Sequence, residues 1–274
     1  MDYTVGSVYF KYDKSRNPDP EAFTMHIHDK CEIFYFAKGS VEYLVEGSKY
    51  PLSENSVMIM RPTEAHTPKI LRCSCYERYA VNFPLSFVQT IDPEGRLLKA
   101  FTDRPLGRNN FYSDEELDMV LFKRLLEEMR GCPSEEYERR LTASTHIGIM
   151  LDMINRAFIR KKSGEYAPKS LPEKIIVYIE KHLSEEISVP LLASHFHLSV
   201  SQFSRIFRQA TGASPWDYIT KKRLTIAKKQ IQEGSAVKDV FEKSGFKDYS
   251  SFYRAYTKLF NCSPQSNKQT ISSP

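Results

Sequence analysis

Two histidines one residue apart, His26 and His28, are followed after three more residues by Glu32 and after another six by Gly39; a third histidine, His66, closes the stretch RPTEAH. Imidazoles with a carboxylate form a donor set that suits Zn, Fe, Mn or Ni. On one strand His26 and His28 would point the same way, and a closed sheet could bring Glu32 and His66 to join them. The same groups, with Phe34, Tyr43 and Arg61 as companions, also suit a partly apolar cup for a sugar-sized ligand. A third reading makes each of them a hydrogen-bonded residue of the sheet, with Phe34 as plain core. The four residues alone leave these readings open.

The elements that must hold them are short. FTMHIH, EIFYFA, VEYLVEG, KYPL, SVMIMRP and RYAVNF are β-branched or aromatic runs separated by Gly, Pro, Ser and Asn, which predicts many strands in a sandwich or small barrel before residue 85. The period then changes. Ser113 and Glu116 form a capping-box pair ahead of Leu117, Val120, Leu121, Leu125 and Met129, and a second helix follows the break at Gly131, Cys132 and Pro133. These two helices either cover the sheet or pair with a second subunit. A Ser-Gly-Pro stretch then ends at Ser170, which with Glu173 makes another capping box, and the periodic segments beyond it are helical.

The net charge of +5 is unevenly placed. Residues 171–274 hold 15 Lys and Arg against 9 Asp and Glu, whereas residues 1–170 hold 24 against 25. A polyanion partner is therefore expected for the C-terminal part. Five cysteines, at 31, 73, 75, 132 and 262, form no CxxC pair and read as reduced, Cys73 and Cys75 as small buried residues rather than a soft-metal site. The N-terminus has no signal-peptide pattern, and no run of about 18 apolar residues occurs, so a soluble, cytoplasmic chain without a membrane partner is expected.

That C-terminal part contains a repeat. SVSQFSRIFRQATGASP (199–215) aligns without a gap on DYSSFYRAYTKLFNCSP (248–264) at an offset of 49 residues. Each copy opens on an N-cap residue, Ser199 or Asp248. Phe203 and Phe207 in the first copy, Phe252 and Tyr256 in the second, stand at i and i+4 and are expected to turn inward. Ser201, Ser204 and Arg205 then face outward, as do Ser250, Ser251 and Arg254. A short helix and a tight turn precede each copy, which makes two helix-turn-helix units. Small polar residues let such a helix approach base edges, and Arg pairs bidentately with guanine. Lys221, Lys222, Arg223, Lys228 and Lys229, on the helix joining the units, are expected at phosphates.

Residues 171–264 resemble the DNA-binding domain of the AraC/XylS family of transcription regulators, on LLASHFHLSVSQFSRIFRQATGASPWDYITKKRLTIAKKQI followed by GFKDYSSFYRAYTKLFNCSP. The resemblance implies seven helices, with two helix-turn-helix units flanking a long connecting helix, and Ser201, Ser204, Arg205, Ser250, Ser251 and Arg254 towards the bases. Phe241 stands where that family has alanine, Asn261 replaces a helix-ending glycine, and Asn267-Lys268 replaces Tyr-Arg. His26, His28, Glu32, Gly39 and His66 resemble the two motifs of the cupin barrels. In an AraC-type chain such a barrel senses a small molecule, commonly a sugar or related metabolite, without catalysis.

The expectation is thus an α+β protein. A cupin-like antiparallel barrel spans residues 1–95 and a helical, dimerising connector 96–162; a linker covers 163–170 and an all-α domain with two helix-turn-helix units covers 171–274. Its function is ligand-responsive, sequence-specific binding of promoter DNA as an activator. Double-stranded DNA, a small-molecule effector, RNA polymerase and a second copy of the chain are the partners, with no cofactor and no catalytic residue. His26, His28, Glu32, Phe34, Tyr43, Arg61 and His66 line the effector pocket. The competing reading is a metal-dependent cupin enzyme with an accessory DNA-binding domain; a further one is a constitutive regulator whose barrel serves only dimerisation.

Overall fold

A computed structural model describes residues 1–71, 75–161 and 170–267; Cys73, residues 163–169 of the expected linker and the tail from 268 lie outside them. The chain separates into two compact units, Met1–Thr24 with Lys30–Ala167, and Met25–Asp29 with Pro168–Pro274.

In the first unit, strands β1 (Asp2–Val5), β2 (Val8–Arg16), β3 (Cys31–Lys38), β4 (Val41–Val45), β5 (Ser48–Leu52), β6 (Ser56–Met60), β7 (His66–Ile70) and β8 (Cys75–Phe83) precede two short helices, α1 (Leu85–Gln89) and α2 (Lys99–Thr102). Strand β9 (Phe111–Tyr112) and helices α3 (Met119–Gly131) and α4 (Glu136–Arg160) follow. The strands pair antiparallel in two sheets, one in the order β1-β2-β8-β3-β6-β9 and one in the order β5-β4-β7. They do not close into the single barrel expected from the sequence.

The middle of the six-stranded sheet, at β3 and β6, is buried on both faces. Phe34, Phe36, Met58, Met60 and Tyr76 share a core with Val41, Tyr43, Val45 and Ile70 of the smaller sheet. The alternate residues Ile33, Tyr35, Val57, Ile59, Tyr79 and Val81 pack with Phe122 and Leu126 of α3 and Ile147, Met150, Leu151 and Ile154 of α4. Successive side chains of a strand point to opposite faces, so β3 is buried at every position from Cys31 to Ala37. Helices α3 and α4 therefore cover the sheet with one side of each, the first of the two roles expected for them.

Four strands, β1, β2, β7 and β9, escaped the sequence reading, and one segment was misread. Tyr3, Val5, Val8 and Phe10 are the buried residues of a β1–β2 hairpin that turns at Gly6, whose φ of +55° suits glycine. FTMHIH is not a strand: within it only His26 makes an isolated bridge. Pro18 and Pro20, which donate no ladder hydrogen bond, and a 3-10 turn at Pro20–Ala22 break the connection that leads into it. Similarly, the amide of Ser113 donates to the Glu116 carboxylate at 2.9 Å, but the helix begins later, capped by Asp118, whose side chain accepts from the amides of Val120 and Leu121.

An ion pair with no solvent exposure, Glu64 with Arg104, fixes the turn before β7. Two guanidinium nitrogens donate to the two carboxylate oxygens at 2.7 Å each. The amides of Gly107 (2.8 Å) and Arg61 (3.1 Å) and the side-chain amide of Asn110 (3.0 Å) also donate to them. Burial alone would raise the Glu64 pKa; the Arg104 charge and these donors outweigh it and hold it at about 2.

In the second unit, helices α5 (Leu171–Lys181), α6 (Val189–His195), α7 (Val200–Thr211), α8 (Pro215–Gln232), α9 (Val237–Lys243) and α10 (Tyr249–Phe260) complete the described elements, apart from a final 3-10 turn. Ser170 caps α5 by accepting from the Glu173 amide, and Asn261 ends α10 at φ +54°, the left-handed conformation that asparagine tolerates. Phe241 packs edge-on to Tyr249 at 5.4 Å and lies 5.8 Å from Phe252, so the larger residue is absorbed by an aromatic cluster. Asn267 donates to the Tyr256 hydroxyl at 3.0 Å.

Removing one member of a buried pair leaves an uncompensated charge. Arg104→Met is expected to lower stability by about 3–5 kcal/mol in urea unfolding. Because the folded-state pKa of Glu64 lies below its ordinary 4.5, its stabilisation is complete above that value and is lost as pH falls towards about 2. Thermal melts of wild type and Glu64→Gln should therefore converge over that range; a constant difference between them would contradict the assignment.

Candidate functional site

Two sets of residues bear on function, one in the sheets and one on the paired helices.

Glu32 is the second residue of the buried run of β3, and His66 opens β7 directly after the turn that Glu64 and Arg104 hold. The Glu64 carbonyl lies 2.7 Å from His66 Nδ1. A carbonyl oxygen only accepts, so Nδ1 donates to it. Nε2 lies 3.3 Å from Glu32 Oε2, and that oxygen also accepts from Asn82 Nδ2 at 3.0 Å. His26 is exposed and His28 half-buried, with ring centroids 6.1 Å apart. Glu32 and His66 come together in the first unit, whereas His26 and His28 do not lie on the strand expected for them.

The companion residues divide. The Tyr43 ring stacks at 6.2 Å on His66 and packs at 4.9 Å on Phe34. Both aromatics are buried in the core between the sheets, and burial pushes the Tyr43 phenol well above its usual range. Arg61 donates to the Arg104 carbonyl at 3.0 Å, so its guanidinium also serves the turn before β7.

In the second unit the inward residues Phe203, Phe207, Phe252 and Tyr256 are fully buried. Ser199 and Gln202 form a complete capping box at the start of α7, and Gly212 ends it at φ +78°. Ser201 and Arg205 are exposed and Ser204 half-buried; with Arg208 and Gln209 they line a groove of about 470 Å³. Arg208 and Gln209 were missed in the sequence, where their positions four residues after Ser204 and Arg205 marked the same face. On α10, Ser250 and Arg254 are exposed, joined by Lys258 one turn on. Ser251 is committed to the cap: its amide and hydroxyl donate to Asp248 at 2.8 and 2.9 Å, which holds the Asp248 carboxyl below its ordinary range. Its hydroxyl is therefore less available to a base than that of Ser250.

The basic residues of α8 correct a sequence expectation. Lys222 is fully buried, with its ammonium 2.9 Å from Glu180, and Arg223 is buried with its guanidinium on backbone carbonyls. Neither is presented to a phosphate. Their helix is the shared core of both repeats, and charges at these positions satisfy interior acceptors. Lys221 and Lys229 make i,i+4 pairs with Asp217 and Glu233, and Lys228 pairs with Asp29 of the same unit; these half-buried residues retain access to solvent.

Residues 15–143 match the sequence model of the AraC-like ligand binding domain, and residues 192–269 that of a helix-turn-helix domain. Among curated relatives, the HTH-type transcriptional activator RhaS of Pectobacterium atrosepticum is 22% identical over 250 residues, 89% of this chain and 87% of that protein. The probable transcriptional regulator LumQ of Photobacterium leiognathi is 40% identical over 88 residues, 32% of this chain and 36% of its own. Among solved structures, ToxT from Vibrio cholerae O395 aligns over 97% of this chain and 99% of its own, with 11% identity and a TM-score of 0.40.

Arg205→Ala is expected to weaken binding to the preferred duplex by about 1–3 kcal/mol and to relax the choice of base at one position, read by competition with single-base variants. Lys222→Met should lower the melting temperature but leave the salt dependence of binding unchanged. A residue at a phosphate would instead reduce that slope by about one.

Proposed function

We propose, for a chain that belongs to the AraC family of transcription regulators, that it activates a promoter by engaging two successive major grooves, and that a small molecule held in its N-terminal unit governs the engagement. The observation that carries this reading is the matched pair of faces: Ser201, Ser204 and Arg205 on α7, and Ser250 and Arg254 on α10, each on a helix capped at its start and anchored by two buried aromatics. Residues 171–274 bind DNA, residues 1–95 hold the effector, and residues 96–162 connect and dimerise. The chain acts by binding rather than turnover, in the cytoplasm and together with RNA polymerase. No helix of the described residues is long and apolar enough to cross a membrane.

The effector is a sugar or related polyol metabolite. Imidazole and carboxylate groups beside the Tyr43 and Phe34 rings give hydroxyl partners next to apolar faces, which is what such a ligand needs. Binding that favours the DNA-competent population raises occupancy only by its differential affinity for that population. A homodimer is supported by apolar side chains that α3 and α4 leave exposed, Val120, Leu121, Leu141, Ile149 and Ile159. In a reporter fused to the DNA upstream of the gene, one member of a panel of pentoses, hexoses and deoxyhexoses is expected to raise output, with loss of the response in His66→Ala. DNA binding without a response to any member would overturn the sugar assignment.

A second reading of the effector rests on the facing Glu32 carboxylate and His66 Nε2: a divalent ion held by these two, whose charge neutralises the carboxylate. Elemental analysis of protein purified without chelator should then give close to one ion per chain, falling sharply in Glu32→Gln. Metal-free protein with an unchanged sugar response would remove this reading.

A further inference from the structure

Helix α8 runs through both repeats. Its first half belongs to the first repeat: Tyr218 packs edge-on to Phe207 at 5.2 Å and donates to Glu180 of α5 at 3.1 Å. Its second half belongs to the other: Leu224, Ala227 and Ile231 form one core with Val240, Phe252 and Tyr256. Arg223 lies where the halves meet, 4% exposed. Its Nε donates to the Leu183 carbonyl at 2.8 Å and an Nη to the Glu185 carbonyl at 2.6 Å, both just beyond α5. The other side of the guanidinium meets the turn of the second repeat. A Cβ built on Gly245, at φ +76°, would stand 2.5 Å from the Leu183 carbonyl and 2.8 Å from the guanidinium carbon, and the Phe246 ring centroid lies 6.0 Å away.

One planar, charged group thus touches the connecting helix, the segment after α5 and the turn before α10. A guanidinium suits this place because its fork is rigid and always charged, whereas a lysine ammonium has no fixed plane. Two carbonyls take its hydrogens, and only a residue without a side chain lets the second turn close on it. Arg223 is buried, whereas Arg205 and Arg254 of the two outward faces are exposed.

We propose that Arg223, seated against Gly245, is a positioning residue that fixes the angle and separation of α7 and α10, and so determines which spacing between two half-sites in DNA the protein accepts. The proposal rests on the DNA-binding reading above and extends it from the choice of bases to the choice of spacing. Recognition helices entering successive grooves must be about 34 Å apart, so a small rotation at the junction displaces one of them relative to its bases.

The test is selection of bound duplexes by the full chain from a pool whose random core spans two major grooves, followed by sequencing. Wild type is expected to enrich two half-elements at one spacing. Arg223→Met and Gly245→Ala, which disturb the junction from opposite sides, should enrich the same half-elements at several spacings. They should also lose roughly ten- to a hundredfold in affinity for the wild-type site, the equivalent of losing charge-assisted hydrogen bonds. Arg223→Lys keeps the charge and is read in place of Arg223→Met if that variant fails to fold. Folded variants that select the wild-type spacing alone overturn the proposal, as does a wild type that enriches a single half-element. A wild type that enriches no duplex overturns the DNA-binding reading itself.

Discussion

The pairing of Arg104 with Glu64 is the constraint on which the N-terminal unit depends. Removing two charges from water costs several kcal/mol each, and such a pair is tolerable only when nearly every donor and acceptor is satisfied. Here the carboxylate takes two guanidinium hydrogens, two backbone amides and a side-chain amide. The result is local rigidity in a turn that contains Thr63 at φ +69° and that ends on His66. The backbone carbonyl of Glu64 then accepts from His66 Nδ1 and orients its ring. A structural ion pair thus helps to place the residue two positions away.

The same principle recurs in the helical unit. Lys222 and Arg223 are adjacent cations inside a helix whose composition suggests a basic surface, yet both are spent on interior partners, a carboxylate for one and two carbonyls for the other. Burial makes the Arg223 guanidinium slightly easier to deprotonate than usual, but it remains a cation at any physiological pH. What faces outward on α7 and α10 is a smaller set, serine and arginine with a glutamine and a lysine, and this is the set suited to reading bases. The unit thus spends Lys222 and Arg223 on its framework and leaves Arg205, Arg208, Arg254 and Lys258 exposed.

The repeat made the helical unit legible in advance. N-caps at Ser199 and Asp248, aromatics at i and i+4 and left-handed ends at Gly212 and Asn261 are local signals that tertiary context had no reason to override. The sheets were less legible. Alternation along β3 was hidden because both of its faces are buried, and sequence periodicity gives no sign of whether a sheet closes. His26 and His28 were expected on one strand but lie on an irregular segment. The Glu64–Arg104 pair, 40 residues apart in sequence, carries no local pattern at all. The role of Lys222 and Arg223 was misjudged because charge in a sequence says nothing about which face of a helix is inside.

The most direct measurement is a gel shift of the full chain on DNA from upstream of its own gene, at about 50 and 200 mM salt, with Arg205→Ala alongside. A regulator that grips two grooves is expected to lose affinity by a factor on the order of 10³ over that range, with the variant weaker throughout and less selective against competitor DNA. A shift insensitive to salt, or equal for wild type and variant, would contradict the assignment of these two helix faces to DNA.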